Sequence, residues 1–320
     1  MKKENFLSSI NIACIINPYA ANKKWSRNRI VRNYINQNIP GKIIAIQKNK
    51  EHTIRTAKNL SKNHDIIIVA GGDGTIADVI QGIMESGRNK DVTLGVIPMG
   101  SGNAFRISLN IPLNIKKALK IIKKGNTKEI DLVKINNKYA SFGSVGATAQ
   151  VLIEKMKNRI PGFLGHILAA RIMLRISRKE QKIELFKAVD DRGNYFVQKY
   201  LKLKVFDGFI GKSKHFGYGW KISPKAELDD GFIDMTFFEI SNLKFLIFFP
   251  SIYFGTFQKT QKHFKAKKII IKGNKLPVQY NGELLGKTNT VKINILPKSL
   301  KVLTPLGGDK RIINLLGSFF

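Results

Sequence analysis

Along the first third of the chain, short apolar runs alternate with stretches whose apolar residues recur every three or four positions. Ile10–Ile16, Lys42–Ile46, Asp65–Ala70 and Thr93–Pro98 read as strands. Ser26–Asn36, His52–Asn63 and Thr75–Ser86 carry helical spacing between them. Strands this uniformly apolar suit a sheet covered on both faces. Strand and helix in alternation, punctuated by Gly and Pro, predict an α/β domain on a parallel sheet.

From about Thr127 the texture changes. Lys128–Asn136, Tyr139–Val145, Gln181–Val189, Tyr195–Phe206, Gly231–Glu239, Lys267–Ile271, Leu276–Tyr280 and Val291–Ile295 read as strands. Asp190-Asp191-Arg192-Gly193-Asn194 separates two of them as a hairpin-type turn. Phe163–Ile176 and a segment from near Leu243 read as inserted helices. The expected fold class is therefore α/β plus all-β: an N-terminal α/β domain and a C-terminal antiparallel β domain. The expected boundaries are 1–126 and 127–313, with a tail over 314–320. A length of 320 residues agrees with two domains.

Charge narrows the partners. The chain has 55 Lys and Arg against 22 Asp and Glu, a net +33, while its 43% hydrophobic content argues against disorder. Such an excess calls for an anionic partner: nucleic acid, anionic membrane or phosphate-rich substrate. No nucleic-acid module with interleaved aromatic and basic residues is visible, so nucleic acid is not expected. Cys14 is the sole cysteine, which excludes an internal disulfide and fits a reducing compartment. The N-terminus lacks the long apolar segment of a signal peptide. The most apolar stretch, Leu243–Phe257, is interrupted by Lys244 and Pro250 and falls short of the ~18 apolar residues that span a bilayer. A cytoplasmic protein, peripheral to the inner face of the membrane, is expected. His52, His64, His166, His215 and His263 show no metal-ligand spacing.

Two glycine-rich loops carry the candidate chemistry. Ile66–Ala70 runs into Gly71-Gly72-Asp73-Gly74-Thr75, which opens a helix. Glycines let backbone approach a phosphate, and the helix N-terminus supplies amide donors. A tight strand-to-helix turn is the plain alternative, weakened by Asp73 and Thr75 standing beside the glycines. Gly100-Ser101-Gly102-Asn103 again follows a buried strand. In a parallel sheet, loops at the carboxyl ends of neighbouring strands converge on one crevice. Asn17-Pro18, after the first strand, falls at the same rim.

These three loops, in this order, resemble the lipid kinase family that includes bacterial diacylglycerol kinases, sphingosine kinases and ceramide kinases. Phe216–Asp234 is similar to the family's second-domain signature, and Gln279-Tyr280-Asn281-Gly282-Glu283 sits where the family has Asp-Gly-Glu. The resemblance covers nearly the whole chain and implies a β-sandwich for the second half. It also implies ATP bound between the domains by Asn17, Pro18, Gly71, Gly72, Asp73, Gly74, Thr75, Gly100, Ser101, Gly102 and Asn103. A structural magnesium ion would be held by the Asp230 carboxylate and the backbone carbonyls of Glu227 and Phe232. Without the resemblance, Asp229-Asp230-Gly231 reads as a solvated turn. The implied reaction transfers the γ-phosphoryl of ATP to the hydroxyl of diacylglycerol or a sphingoid base. A homodimer agrees with the resemblance.

The chain departs from the family at the base. Asn281 stands where relatives carry Asp, and an amide does not accept a proton at neutral pH. Four readings follow: Asp73 is the base; Glu283 is; the protein binds nucleotide and lipid with little turnover; or Asn281, followed by Gly282, deamidates to an aspartate. Ala20-Ala21, Ala77, Gln81, Ser101 and Thr148 are further departures. Gly-Gly-Asp-Gly also occurs in NAD kinases, a rival with a soluble substrate.

Basic residues flank both apolar segments. Lys155, Lys157, Arg159, Arg171, Arg175, Arg178 and Lys179 surround Phe163–Ile176. Phe245, Ile247, Phe248, Phe249, Tyr253, Phe254 and Phe257 precede Lys259, Lys262, Lys265, Lys267 and Lys268. That pattern suits docking on an anionic membrane surface. A second-domain core filled by the aromatic residues explains it equally well.

Overall fold

The computed structural model describes residues 10–20, 27–39, 41–100, 104–158, 169, 171–216, 219–257 and 261–305. The chain divides into two compact units, residues 1–130 with 298–320, and residues 131–297. Its strands, in order, are β1 Ile12–Ile16, β2 Lys42–Ala45, β3 Ile66–Gly71, β4 Thr93–Pro98, β5 Thr127–Ile135, β6 Lys138–Ala140, β7 Phe142–Gly146, β8 Lys179–Asp190, β9 Tyr195–Val205, β10 Asp207–Gly211, β11 Ile233–Phe238, β12 Gln261–Tyr280 and β13 Glu283–Leu303. Its helices are α1 Arg29–Asn38, α2 Lys50–Leu60, α3 Asp73–Glu85, α4 Ala104–Ser108, α5 Ile115–Lys124, α6 Ala147–Asn158, α7 Asn242–Ile247 and α8 Phe249–Phe254.

In the first unit β1 pairs with β2 on one side and β3 on the other, and β3 pairs with β4, each in parallel. β1, β3 and β4 are buried at every residue, whereas the edge strand β2 is not. Their alternate side chains Ile12, Cys14, Ile16, Ile66, Ile68 and Ala70 form one core with Ile35 of α1 and Leu119 and Ile122 of α5. Burial pushes the Cys14 thiol far above its ordinary range, so it packs as a small apolar group. Helices α1, α2 and α5 begin at Asn28, Asn49 and Asn114, whose side chains accept a backbone amide of the first turn. Helix α3 has Gly72 at that position and no side-chain cap.

The end of β13 belongs to this unit. Lys301 and Val302 pair in parallel with Thr93 and Leu94 of β4, and Asn89 donates to the Ser299 carbonyl at 2.8 Å. The compact units thus divide at 130/131 and 297/298, where the sequence placed boundaries at 126/127 and 313/314. A continuous β pattern through Leu303 hides the second change. Asn314–Phe320 and half of Phe163–Ile176 lie outside the described residues, and 171–175 of that segment is helical as read.

The second unit pairs antiparallel. β7 pairs with β10 and β12, β10 with β11, and β12 with β8 and β13; β8 pairs with β9. β12 also reaches β11 through Gln261–Ala266, so the order β11-β10-β7-β12 returns on itself. The interior holds Val145, Ile183, Leu185, Ile210, Met235, Phe237, Ile269 and Val278. Two runs read separately in the sequence, Lys267–Ile271 and Leu276–Tyr280, are one strand. The polar residues between them mark a register shift at Lys272/Leu276. Conversely, Tyr139–Val145 splits at Ser141 into β6 and β7. The turn after Asp190 joins β8 to β9 as read, with the Asp190 carboxylate accepting the amides of Arg192 and Asn194 at 3.0 Å each. Among the described residues, no helix is long and apolar enough to cross a membrane.

Candidate functional site

The three glycine and asparagine loops meet at the carboxyl ends of β1, β3 and β4. Asn17 leaves β1 with its amide on the Ala70 carbonyl at 2.9 Å, and its side chain donates to Thr75 Oγ1 at 2.8 Å. Pro18 follows in a turn closed by the Tyr19 amide on Asn17 Oδ1 at 2.9 Å. Met99, before Gly100, donates to the Gly71 carbonyl at 2.8 Å. The approach is too close for side chains. A Cβ on Gly71 would lie 2.6 Å from Thr75 Cβ, and one on Gly72 would lie 3.0 Å from Gly100 Cα. Gly74 and Thr75 form the first turn of α3, whose amides have no side-chain cap. Ser101, Gly102 and Asn103 lie outside the described residues.

Asp73 ties two loops together. Its carboxylate accepts the amide of Ala104 at 2.9 Å and that of Phe105 at 3.2 Å, at the start of α4. Burial pushes this carboxyl up, against the pull of those two amides and the Arg106 charge, and burial prevails. The sequence brought Asp73 to the site but gave no hint that its partners lie beyond Asn103.

In the second unit Asn281 is buried, with hydrogen bonds at both side-chain heteroatoms. Its Oδ1 accepts from the Ser141 amide at 2.9 Å, the Ser141 hydroxyl at 3.1 Å and the Phe142 amide at 3.4 Å. Its Nδ2 donates to the Tyr139 carbonyl at 3.3 Å. The residue has φ +47°, a conformation that Asn tolerates better than most side chains. Glu283, half-buried, begins β13 opposite Tyr280.

A polar chain extends from this turn to a carboxyl that no sequence motif singles out. The Gly282 amide donates to Gln279 Oε1 at 2.9 Å, and Gln279 Nε2 to Ser144 Oγ at 3.1 Å. Ser144 Oγ lies 2.6 Å from Thr148 Oγ1, and the Thr148 amide donates to Asp207 Oδ2 at 2.7 Å. Asp207 is fully buried, and burial pushes its carboxyl up to about 7 despite the hydrogen bonds from Thr148 and Gly208. No local signal marks Asp207 in the sequence; only the register of β7 against β10 places it beside Gly146.

The Asp230 loop is surrounded by ammonium groups. Lys212 Nζ donates to Asp230 Oδ1 and to the Phe232 carbonyl, and lies 3.4 Å from Asp131 Oδ2. Lys265 Nζ donates to Asp230 Oδ2 at 2.6 Å, and Lys267 Nζ to the Gly231 carbonyl at 2.6 Å. Burial pushes the Asp230 carboxyl up, but the Lys212 and Lys265 hydrogen bonds, the Phe232 amide and the Lys212 charge together hold it below its ordinary value. Glu227 is exposed, and its carboxylate faces Lys265 at 3.7 Å. Both oxygens of Asp230 and the Phe232 carbonyl already bind cations, so these residues do not fit a divalent ion alongside them.

The apolar stretch after Asn242 divides by face. Phe245 is buried against Phe206 and Phe238, with ring centroids 5.0 and 5.3 Å away, and Phe249 packs on Trp220. Leu243, Ile247, Phe248 and Phe254 are exposed, the last at 67%. Core packing accounts for one face and leaves the other in solvent. Arg178 bonds the Glu239 carbonyl at 2.9 Å just before this segment.

The diacylglycerol kinase catalytic domain family matches residues 11–135, and the YegS C-terminal NAD kinase beta sandwich-like domain matches residues 197–304. Diacylglycerol kinases of Staphylococcus aureus strains JH9 and Newman are each 30% identical over 274 residues, which covers 82% of this chain and 81% of each relative. A diacylglycerol kinase structure from Bacillus anthracis str. Sterne aligns with a TM-score of 0.68 at 20% identity, covering 92% of this chain and 96% of that one. That last likeness concerns the fold.

Proposed function

This chain belongs to the diacylglycerol kinase family, and from that premise we propose that it is a lipid kinase that transfers the γ-phosphoryl of ATP to a lipid hydroxyl. The observation that carries the reading is the meeting of Asn17-Pro18, Gly71–Thr75 and Gly100 at one rim of the first unit. Helix α3 offers its first-turn amides uncapped at that rim, whereas α1, α2 and α5 close theirs with Asn. Uncapped amides and bare glycine backbone are donors suited to phosphate oxygens. ATP would enter as its magnesium complex, with Ser101 and Asn103 completing the nucleotide contacts.

Phosphoryl transfer asks mainly for positioning and charge stabilisation, with a group near the acceptor hydroxyl to take its proton. Asn281 does not serve as that group: its amide is spent on Tyr139 and its carbonyl on Ser141 and Phe142. Asp73 is the carboxylate we assign as essential, with Glu283 on the acceptor side. The acceptor is diacylglycerol or a sphingoid base. The exposed Leu243, Ile247, Phe248 and Phe254, together with the net charge of +33, support peripheral contact with an anionic cytoplasmic membrane face.

The test is a panel of lipids in anionic vesicles with labelled ATP, run beside soluble NAD. Labelled lipid that disappears with Asp73→Asn supports the proposal. Labelled NAD without labelled lipid would sink it. Nucleotide binding without product on any acceptor would replace it with a regulatory, non-catalytic role.

A further inference from the structure

We infer that the ammonium of Lys212 is a built-in cation that holds the Leu228–Phe232 loop, in place of the divalent metal ion implied for Asp230. The loop has the chemistry of a cation site. Asp230 points inward; the Phe232 carbonyl turns the same way; Asp131 contributes a third oxygen from β5. Yet the group at the centre of these oxygens is Lys212 Nζ, whose side chain is 1% exposed. An ammonium has three donors and no acceptor, and three oxygens surround this one.

The geometry beyond the centre agrees. Asp131 binds the loop twice without a metal: its Oδ2 accepts the Gly231 amide at 2.7 Å, and its own amide donates to the Leu228 carbonyl at 2.7 Å. Gly231 has φ +71°, which turns its carbonyl to Lys267. The carboxylates of Asp131 and Asp230 already face the ammonium groups of Lys212 and Lys265. A magnesium ion needs oxygens at ~2.1 Å in near-octahedral array. It would have to separate the buried Lys212 ammonium from its carboxylates and leave that charge unpaired. Lys212 is also fixed by its backbone, whose amide donates to the Ser141 carbonyl at 2.9 Å.

The experiment uses the full chain, stripped with EDTA and kept free of nucleotide, with Mg2+ or Mn2+ as probe. Wild-type protein is expected to unfold at the same temperature with and without millimolar Mg2+. Lys212→Ala is expected to lower the Tm by roughly 10 °C, the result of breaking a buried ion pair. Added Mg2+ should recover part of that loss, and Lys212→Ala with Asp230→Asn should show no recovery. If Lys212→Ala folds but ignores Mg2+, the loop is an ordinary buried ion pair and the inference fails. Should Lys212→Ala not fold, Mn2+ bound to the wild type and to Asp230→Asn is counted by electron paramagnetic resonance. Equal counts support the built-in cation; one Mn2+ lost with Asp230→Asn overturns it.

Discussion

Asp73, the first residue of α3, accepts the backbone amide of Ala104, thirty-one residues further along the chain, at 2.9 Å. One carboxylate caps α4 from the first turn of α3. The same side chain thus shapes the rim and is the carboxylate proposed as essential for transfer.

Asp73→Asn separates those duties, because an amide keeps one acceptor oxygen for Ala104 or Phe105 but carries no charge. Phosphoryl transfer is expected to fall at least ~100-fold, in the range seen for acid–base groups. Stability should drop by about 1–3 kcal/mol, because the NH2 cannot accept the second backbone amide. A drop in activity that merely tracks unfolding in urea would assign Asp73 to shape alone.

Gly71→Ala tests the rim without touching charge. Its Cβ would meet Thr75 Cβ at 2.6 Å and push on the side chain that receives Asn17. Overpacking of this kind costs about 1–3 kcal/mol. Nucleotide affinity, measured by isothermal titration, should weaken by roughly 10-fold or more. Unchanged affinity would place the nucleotide elsewhere.

Asn281→Asp is expected not to raise activity. The new carboxylate would inherit good donors from Ser141 and Phe142 on one oxygen, but its other oxygen would face the Tyr139 carbonyl at 3.3 Å. Relief comes only by keeping a proton on that oxygen. The variant should be less stable than the wild type by ~1–3 kcal/mol at pH 8 and by less at pH 5. A gain in turnover above 10-fold would move the base to position 281.

Asp207 sets a slope of stability with pH. Its folded-state carboxyl lies at about 7, against roughly 3.9 in the unfolded chain, so the folded protein holds the proton more tightly. The stabilisation is complete below about pH 4 and is lost as pH rises through 7, a span on the order of 4 kcal/mol. Urea midpoints of the wild type should therefore fall from pH 5 to pH 8 relative to Asp207→Asn. The variant itself should start lower, because an NH2 cannot accept the amide of Thr148 or Gly208. Parallel profiles for both proteins would refute the assignment.

Replacing Ile247, Phe248 and Phe254 by Ser should leave the fold intact and release the protein from anionic vesicles, measured by co-sedimentation. Wild-type binding should weaken as salt rises past physiological strength. Salt-insensitive binding would leave the charge of +33 without a partner.

The rim of the first unit was legible because its code is local. A buried strand, three glycines, an acidic residue and a helix start all fall within ten residues, Ile66–Thr75, and backbone chemistry alone gives them meaning. The second unit was not legible in the same way. Lys212 is one of many lysines and differs only in being buried, which depends on β5 and the Asp230 loop closing around it. The engagement of Asn281 depends on Ser141, 140 residues away. Aromatic spacing after Asn242 suited both a core and a surface, and the structure gives Phe245 to one and Phe254 to the other. Strand pieces were found, but β12 was read as fragments because the polar stretch at its register shift looks like a turn.

The parallel contact of Lys301 and Val302 with Thr93 and Leu94 bears on how the protein is born. The first unit is interrupted after residue 130 and resumes at 298. A ribosome adding about 5–20 residues per second needs roughly 10–30 s to cross that interval. Throughout it, β4 waits with an unpaired edge of buried apolar residues, the kind of edge that recruits other chains. The nascent first unit therefore carries an open apolar strand edge until its distant segment is made.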